Sequence, residues 1–322
     1  MMDILISEEL VARNIQWLSE KYSVVHDGTL WKQPAKLKAA LGEARAILIR
    51  NQTQITAELL EATPRLIGIG RLGVGLDNID IPAASKHGVV VVAPLDANAT
   101  SVAELTLGLM LALARKIPQA DRSTKAGGWD RKGGTGLELA GKTLTICGFG
   151  RIGRLVAARA RVFGMRLRVF DPFVKSMTLH DTGAELCSSL EAALAEAYFV
   201  TAHLPLTPET RRQFDARRFA AMKKGAFFIN TSRGGVVDET ALLAALCNGQ
   251  VAGAALDVRE IEPPTAKIGF EEMDNVILLP HLGAATFEAQ SRTFEAVAMD
   301  IDRLLRGEPA VNYVNFPKPQ RG

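Results

Sequence analysis

The chain has few cysteines and few aromatic residues. Of its 322 residues, three are cysteine and 6% are aromatic. Cys147, Cys187 and Cys247 are odd in number and far apart, a pattern that suits neither a disulfide framework nor a zinc site. We therefore expect no metal centre. We expect all three thiols to be small buried side chains of a protein that resides in the reducing cytoplasm.

Strong charge of one sign and long hydrophobic runs are also lacking. The formal net charge is +3, and basic residues form only short runs such as Arg211-Arg212. Nucleic acid and membrane surfaces are therefore not expected partners. The first ten residues have an acidic residue at position 3 and too short an apolar stretch for a signal peptide or a transmembrane helix. The 48% hydrophobic and 23% charged residues that are present are typical of a globular chain with room for two domains.

Short apolar runs alternate with longer helical patterns along the chain. This alternation predicts an α/β protein with two mainly parallel, doubly wound sheets. The first series of predicted strands spans residues 3–7, 23–26, 45–49, 66–70 and 89–93. The second series spans residues 143–147, 166–170, 198–203, 226–230, 252–258 and 276–279. A helix is predicted after residue 80, since Asp80 fits its N-cap, Pro82 its first turn and Gly88 its end.

Three longer segments define the predicted domains. Residues 101–116 are apolar almost all round, so this helix should be buried at a domain junction or a subunit interface. The glycine-rich stretch 125–142 should be a surface loop. The last helix, 286–305, is long enough to cross back to the first domain. We therefore expect a discontinuous first domain, residues 1–98 and 290–322, and an inserted second domain, residues 99–289.

A glycine-rich turn after the strand at 143–147 predicts a dinucleotide site. Gly148-x-Gly150-x-x-Gly153 follows a strand and opens a helix, and Asp171 directly follows the next strand. Gly148 permits the tight turn, Gly150 leaves room for a pyrophosphate, and Gly153 lets helix and strand pack closely. The Asp171 carboxylate would bind the adenosine ribose and repel a 2′-phosphate, which favours NAD over NADP. The alternative is a structural turn beside a surface aspartate.

Polar and ionisable residues follow the other strands of the second series. In an open parallel sheet, ligands bind beyond the carboxyl ends of the strands. Besides Asp171, the residues at or just beyond these ends are His203-Leu204, Thr231-Ser232-Arg233, Asp257, Glu262 and His281. We expect them to line one cleft. Each has an ordinary alternative: a solvated loop arginine at 233, a capping aspartate at 257, an exposed acid at 262 and a structural histidine at 281.

The remaining histidines give a weaker signal. His26, His87 and His180 do not lie at the strand ends of the second series. His203 does, but no acidic partner is evident near it, so we expect it to shape the cofactor pocket.

Nine motifs in order resemble the D-isomer-specific 2-hydroxyacid dehydrogenases, especially the D-3-phosphoglycerate dehydrogenase and hydroxypyruvate reductase branch. The match runs from about Ile47 to Ala285, and its segments are GRLGVGLDNID, NATSVAELTLGLMLALAR, ELAGKTLTICGFGRIG, FDP, HLPLTPET, NTSRGGVVDE, GAALDV, EPP and PHLGAAT. The resemblance implies a Rossmann NAD-binding domain inserted into a flavodoxin-like substrate-binding domain. It also implies interconversion of a D-2-hydroxy acid and its 2-keto acid, of the 3-phosphoglycerate, glycerate/hydroxypyruvate or glyoxylate class, by a homodimer.

The resemblance implies roles for single residues. Arg233 would hold the substrate carboxylate and carbonyl oxygen, His281 would be the acid/base, and Glu262 would be its partner. Asp257 would lie near the nicotinamide. Further cofactor contacts would come from Arg151, Ile152, His203, Leu204, Thr231, Ser232 and Gly283. Substrate contacts would come from Gly73, Val74 and Gly75, with Arg50 and Arg71 as candidate cations for a phosphate or, alternatively, plain surface residues.

These residue types suit the chemistry. Hydride transfer to a 2-keto acid builds negative charge on the carbonyl oxygen, which must receive a proton. Histidine exchanges protons near neutral pH, and a neighbouring carboxylate stabilises its charged form. The planar fork of an arginine matches a carboxylate in two-point contact.

Some alternatives stay open. Arg259 stands where the family often has an aromatic residue and Asn51 where it often has serine, and we expect both to border the substrate pocket. A phosphite-type dehydrogenase and a non-catalytic NAD(H)-sensing protein of the same fold are the other candidate functions. A formate-type enzyme is disfavoured, because it typically pairs the histidine with glutamine rather than with an acid such as Glu262. Feedback control by an amino acid is not expected, since the sequence ends at 322 without the regulatory domain that some relatives carry.

Overall fold

The structure, a computed structural model, describes residues 2–10, 15–175, 179 and 182–320. Its internal contacts divide the chain into two compact units. The first unit is Met1–Asn98 with Ala284–Gly322, and the second is Ala99–Gly283. The predicted boundary at residue 290 falls instead within the last helix of the first unit.

The first unit is built on a five-stranded parallel sheet. Its strands are β1 (Ile4–Ile6), β2 (Val24–His26), β3 (Ala46–Ile49), β4 (Gly68–Arg71) and β5 (Val90–Val92). Their order in the sheet is β2-β1-β3-β4-β5, which is the flavodoxin-like order. The helices are α1 (Ile15–Lys21), α2 (Pro34–Gly42), α3 (Ala57–Glu61), α4 (Ile81–Lys86) and α11 (Phe287–Leu305).

Alternate side chains of these strands enter two separate cores, as the pleat of a strand requires. Ile47 and Ile49 of β3 pack with residues of α2, α3 and α4 on one face. Leu48, between them, packs with residues of α1 and α11 on the other. The predicted strands and the doubly wound arrangement are thus confirmed for this unit. The start of α4 is confirmed too, since the Asp80 side chain accepts a hydrogen bond from the Ala83 amide.

The second unit is built on a seven-stranded parallel sheet. Its strands are β6 (Thr143–Cys147), β7 (Arg166–Phe170), β8 (Glu185–Leu186), β9 (Phe199–Ala202), β10 (Ala226–Asn230), β11 (Val251–Leu256) and β12 (Val276–Leu278). Their order is β12-β11-β10-β9-β6-β7-β8. The chain therefore reverses its direction of travel across the sheet beside β6, where an open parallel sheet forms its ligand crevice.

Helices cover both faces of this second sheet. They are α5 (Ala99–Ala114), α7 (Arg151–Val162), α8 (Leu190–Leu194), α9 (Ala216–Ala221) and α10 (Glu239–Cys247). A further helix, α6 (Ile117–Lys125), follows α5 and has no buried residue. Helices α5 and α7 share one core with the sheet, and α8, α9 and α10 share the other. All six predicted strands are confirmed, whereas the two-residue edge strand β8 was not predicted.

The apolar helix α5 is buried within its own unit. It packs against α7 and against β10, β11 and β12, so the burial that its pattern predicts needs no second subunit. Residues 126–142 contain no helix or strand, in agreement with the predicted loop. No helix among the described residues is long and apolar enough to cross a membrane.

One expectation about the cysteines is wrong. Cys147 and Cys187 are buried, but Cys247 is exposed. It is the last residue of α10, where the helix turns its final residue to solvent although the residues before it are apolar.

Candidate active site

The predicted site residues of the second unit follow the carboxyl ends of its strands. Because all seven strands are parallel, these ends lie along one edge of the sheet. In the order of the chain, the groups that follow β6, β7, β9, β10, β11 and β12 are Gly148, Asp171, His203-Leu204, Thr231-Ser232-Arg233, Asp257 and His281. This edge, beside the point at β6 where the chain reverses its direction across the sheet, thus carries a glycine turn, two carboxylates, two histidines and an arginine.

The geometry of the glycine turn fits a bound pyrophosphate. Gly148 has a φ of 93°, and an added Cβ there would collide with the His203 carbonyl. A Cβ on Gly153 would collide with the Gly148 carbonyl oxygen. At Gly150, by contrast, a Cβ would meet nothing within 4 Å, so the turn is open at the N-terminus of α7, where backbone amides favour an anion.

The Asp171 carboxylate is fixed beside this turn. One oxygen accepts a hydrogen bond from the Phe149 amide at 2.8 Å, and the other accepts one from the Phe173 amide at 2.9 Å. These contacts link the end of β7 to the glycine turn after β6. The arrangement suits recognition of a ribose close to a pyrophosphate.

His203 lies at the same edge but is held as a neutral ring. Its Nε2 shares a hydrogen bond with the Thr201 hydroxyl at 3.0 Å, and desolvation lowers the pKa of the imidazole to about 3. Its Nδ1 is buried and has no hydrogen-bond partner among the described residues. A buried polar atom of this kind is usually satisfied by a ligand or a water molecule, which fits a cofactor pocket. His180 lies outside the described residues.

Glu262 and His281 form a close pair. His281 Nδ1 and Glu262 Oε2 are 2.7 Å apart, and the second carboxylate oxygen, Oε1, accepts the Arg259 amide at 2.9 Å. Burial alone would raise the pKa of Glu262. The hydrogen bond and charge of His281, the Arg259 amide and the charge of Arg233 outweigh burial and hold that pKa below its ordinary value. Glu262 is therefore a carboxylate near neutral pH, able to stabilise an imidazolium.

Asp257 fixes the backbone that carries His281. The Asp257 carbonyl accepts the His281 amide at 2.8 Å, and its carboxylate accepts the Leu282 and Gly283 amides at 2.6 and 2.8 Å. His281 has a φ of 57°, a left-handed conformation that a non-glycine residue adopts only where its surroundings enforce it. The buried Asp257 supplies that constraint through these three hydrogen bonds. Its role in the structure is therefore to fix the backbone of His281.

The turn that carries Arg233 is organised by a residue that the sequence did not single out. The Asn230 side-chain amide donates to the Arg233 carbonyl at 2.9 Å, and its oxygen accepts the Ser232 amide at 3.0 Å and hydroxyl at 2.8 Å. Asparagine at a strand end is a frequent turn former, and this preference is the sequence signal from which Asn230 could have been predicted. Two α5 residues were missed as well: Thr106 bonds Thr231 at 3.0 Å through their hydroxyls, and the Ser101 hydroxyl donates to the Gly283 carbonyl at 2.7 Å.

The expectation that the Arg259 side chain borders the substrate pocket is not met. Its guanidinium makes a two-point contact with Glu239 and a further contact with Glu271. These partners lie on α10 and on the turn at Phe270–Glu272. A buried guanidinium is drawn to carboxylates that satisfy its donors, and here they direct it into the fold.

The substrate candidates of the first unit follow β3 and β4. The buried Glu8 carboxylate accepts the amides of Arg50, Gln52 and Thr53 at 2.8, 3.2 and 2.9 Å, which shapes the loop after β3. Arg71 is the buried last residue of β4, and a Cβ on Gly73 would collide with its guanidinium. Val74 and Gly75 are half-buried, and Asn51 is exposed. These residues all belong to the first unit.

The chain matches a known family over more than half its length. The family model described as the D-isomer specific 2-hydroxyacid dehydrogenase, NAD binding domain, matches residues 107–283. The D-3-phosphoglycerate dehydrogenase of Methanocaldococcus jannaschii is 44% identical over 317 residues, which are 98% of this chain and 60% of that protein. The first curated relatives are longer proteins, and this chain spans 50 to 60% of their length.

Solved structures share the fold over nearly the whole chain. A protein of Thermus thermophilus superposes with a TM-score of 0.90 at 32% identity and covers 97% of this chain and 100% of its own. The D-lactate dehydrogenase of Aquifex aeolicus, solved with NAD and lactic acid, has a TM-score of 0.88 at 28% identity and covers 98% and 100%. The fold and the presence of an NAD-binding domain in residues 107–283 are thereby established.

Proposed function

Because the chain belongs to the D-isomer specific 2-hydroxyacid dehydrogenase family, we propose that it interconverts a D-2-hydroxy acid and its 2-keto acid with NAD as cofactor. One observation carries this proposal above all. A histidine at the carboxyl edge of the sheet is hydrogen-bonded to a carboxylate, His281 to Glu262 at 2.7 Å. The Gly148–Gly153 turn follows another strand of the same edge.

In this proposal His281 is the acid/base. Its Nδ1 faces Glu262, which leaves Nε2 to exchange a proton with the substrate oxygen. The Glu262 carboxylate stabilises the imidazolium that donates this proton during reduction. In oxidation the neutral ring takes the proton back. When bound, the cofactor would supply or accept the hydride.

Arg233 would bind the substrate carboxylate and stabilise the oxygen on which charge develops. Its charge already acts on Glu262, so it lies near the proposed proton donor. The Gly73–Gly75 amides of the first unit would supply further donors to the substrate carboxylate. Arg50 and Arg71, which follow or end strands of that unit, would bind a phosphate if the substrate carries one.

A substrate panel tests the function. NADH oxidation is followed with hydroxypyruvate, glyoxylate, pyruvate and phosphohydroxypyruvate, and each acid is repeated with NADPH. We expect turnover with at least one of the four acids and preference for NADH. Binding of NADH without turnover of any acid would favour the sensing protein of the same fold, and phosphite-dependent NAD reduction would favour the phosphite-type enzyme.

Cofactor preference is predicted to depend on Asp171. In Asp171→Asn the charge is lost while one acceptor for the Phe149 and Phe173 amides remains. We expect the ratio of kcat/KM for NADPH to that for NADH to rise by about fivefold or more, because a close pair of like unit charges costs at least about 1 kcal/mol even in water. Steady-state kinetics with both cofactors give the ratio. Asp121→Asn, an exposed aspartate of α6, is the matched control, and an unchanged ratio in Asp171→Asn would contradict the assigned role.

We further propose a cytoplasmic homodimer that forms through α5. Most of this helix is buried in its own unit, but Gly108 is exposed, and a Cβ there would meet nothing within 4 Å. Gly108→Arg should therefore fold, and in a dimer its side chain would occupy the interface. Sedimentation should give about twice 34.7 kDa for the wild type and the single-chain mass for the variant. A monomeric wild type would remove the proposal.

A further inference from the structure

The segment that carries Glu262 has no regular secondary structure of its own. Between the end of β11 and the turn at Phe270, the backbone forms bends without a helix or strand. A carboxylate that must stay within hydrogen-bond distance of His281 therefore needs other constraints. One of these is visible directly: the Arg259 amide donates to Glu262 Oε1 at 2.9 Å.

The Arg259 side chain anchors this amide to the body of the unit. Its Nε and Nη2 contact the two Glu239 oxygens at 2.9 and 3.1 Å, and its Nη1 contacts Glu271 at 3.4 Å. The guanidinium also lies 5.2 Å from the centre of the Phe270 ring. The side chains of Arg259, Glu239 and Glu271 are only 8, 13 and 21% exposed. We call these three residues the Arg259 triad.

Glu239 ties a second point of the segment to α10. Its Oε1 accepts the Glu260 amide at 2.9 Å, in addition to the Arg259 guanidinium. Glu239 is the first residue of α10, directly after the N-cap Asp238. Two successive residues of the segment, Arg259 and Glu260, are thus fixed to a helix terminus, and only Ile261 separates them from Glu262.

The same backbone also touches the turn that carries Arg233. A Cβ on Gly234 would overlap the Arg259 carbonyl, so the two chain segments are in direct contact there. The segment between β11 and Phe270 therefore has Glu262 on one side and the Arg233 turn on the other. Displacement of Arg259 would disturb both.

We propose that Arg259 is a positioning residue for the acid/base pair, since the Arg259 triad holds its amide where Glu262 can engage His281. The inference rests on the proposed function of Glu262 and His281. A buried ion triad contributes little net stability compared with apolar side chains of equal volume. Its specific effect is geometric, because the planar guanidinium fork fixes direction as a lysine or an apolar side chain does not.

The primary test measures the His281 proton directly. Histidine labelled with 15N in the ring is followed by NMR, and the His281 signals among the five histidines are assigned from His281→Asn. Glu262→Gln is the benchmark. It replaces the carboxylate that lies 2.7 Å from His281 Nδ1, so the Nδ1 resonance should move. Arg259→Met should move this resonance in the same direction.

Activity gives the second readout. Arg259→Met should lower kcat/KM on the order of 10- to 100-fold, the cost of misplacing a catalytic group by about an ångström. NADH affinity should stay near the wild-type value. The matched control is Arg212→Met: Arg212 pairs with Glu260 at 3.1 Å on the surface and should change none of these quantities.

The outcomes separate the two proposals. If no 2-keto acid is turned over but the His281 Nδ1 resonance moves in Arg259→Met as in Glu262→Gln, the positioning role stands and the proposed function fails. If Glu262→Gln moves this resonance and Arg259→Met does not, the positioning role is wrong and the function is untouched. Should Arg259→Met not fold, the double variant Arg259→Met with Glu239→Gln leaves no uncompensated charge between these two residues. A wild-type His281 Nδ1 resonance in that double variant overturns the inference.

Discussion

His281→Ala is expected to lower turnover on the order of 10³-fold or more, while NADH binding stays within about twofold of the wild type. The ring is the proposed proton donor, and its Nδ1 is engaged by Glu262 at 2.7 Å. The other histidine at this edge cannot take its place, because desolvation lowers the pKa of His203 to about 3. If His281→Ala loses turnover but keeps its affinity for NADH, the histidine acts in proton transfer and not in cofactor binding.

The measurement combines steady-state NADH oxidation with a fluorescence titration of NADH. The control is His87→Gln, a histidine at the end of α4 in the first unit, for which we expect wild-type rates. His203→Gln should raise the KM for the cofactor without moving the pH profile, since the ring is neutral over the working range. Turnover close to wild type in His281→Ala would exclude the acid/base assignment.

The part of the site that the sequence could predict follows from strand ends. A parallel sheet brings its carboxyl ends to one edge whatever its loops do, so Asp171, Arg233 and His281 could be assigned to that edge from the pattern alone. The glycine turn was predictable for a similar reason. Gly148 and Gly153 stand where a side chain would collide with backbone, and such positions exclude other residues.

For side chains on irregular segments, the sequence could predict neither the direction in which the side chain points nor the residue to which it bonds. Arg259 follows β11 closely, but its guanidinium is directed by Glu239, which lies on α10 and is distant in sequence. The pairing of Glu262 with His281 was available only from the family resemblance, because it depends on how the segment between β11 and β12 folds. Asp257 could be placed at the edge, yet its three hydrogen bonds to the His281 loop needed the structure.

The short strand β8 and the exposed side chain of Cys247 were not predicted, and both failures have a physical reason. Strand β8 has two residues, which is too short for an alternating pattern. Cys247 is the last residue of an apolar stretch, and its side chain is exposed because α10 ends there. Local patterns report which face of an element is apolar, but they place its last residue less precisely, because helix ends fray and vary by one or two residues.

Arg233→Ala should raise the KM for the keto acid and lower kcat by about 10²- to 10³-fold, the range for loss of one donor to a developing oxyanion. The variant also removes a positive charge that acts on Glu262. The pKa of Glu262 is held below its ordinary value partly by that charge, so it should rise in the variant. The Glu262–His281 pair exists above this pKa and is lost as pH falls through it. The acidic limb of the reduction profile should therefore move to higher pH.

Arg233→Lys separates charge from geometry. A lysine keeps the positive charge but not the two-point fork, so the acidic limb should stay near its wild-type position while the KM for the keto acid still rises. The Asn230 side chain bonds the backbone carbonyl of residue 233, so the turn itself should survive both substitutions. Equal KM values in the wild type and both variants would show that Arg233 does not bind the substrate. A loss of NADH affinity in both variants would instead show that Arg233 acts on cofactor binding.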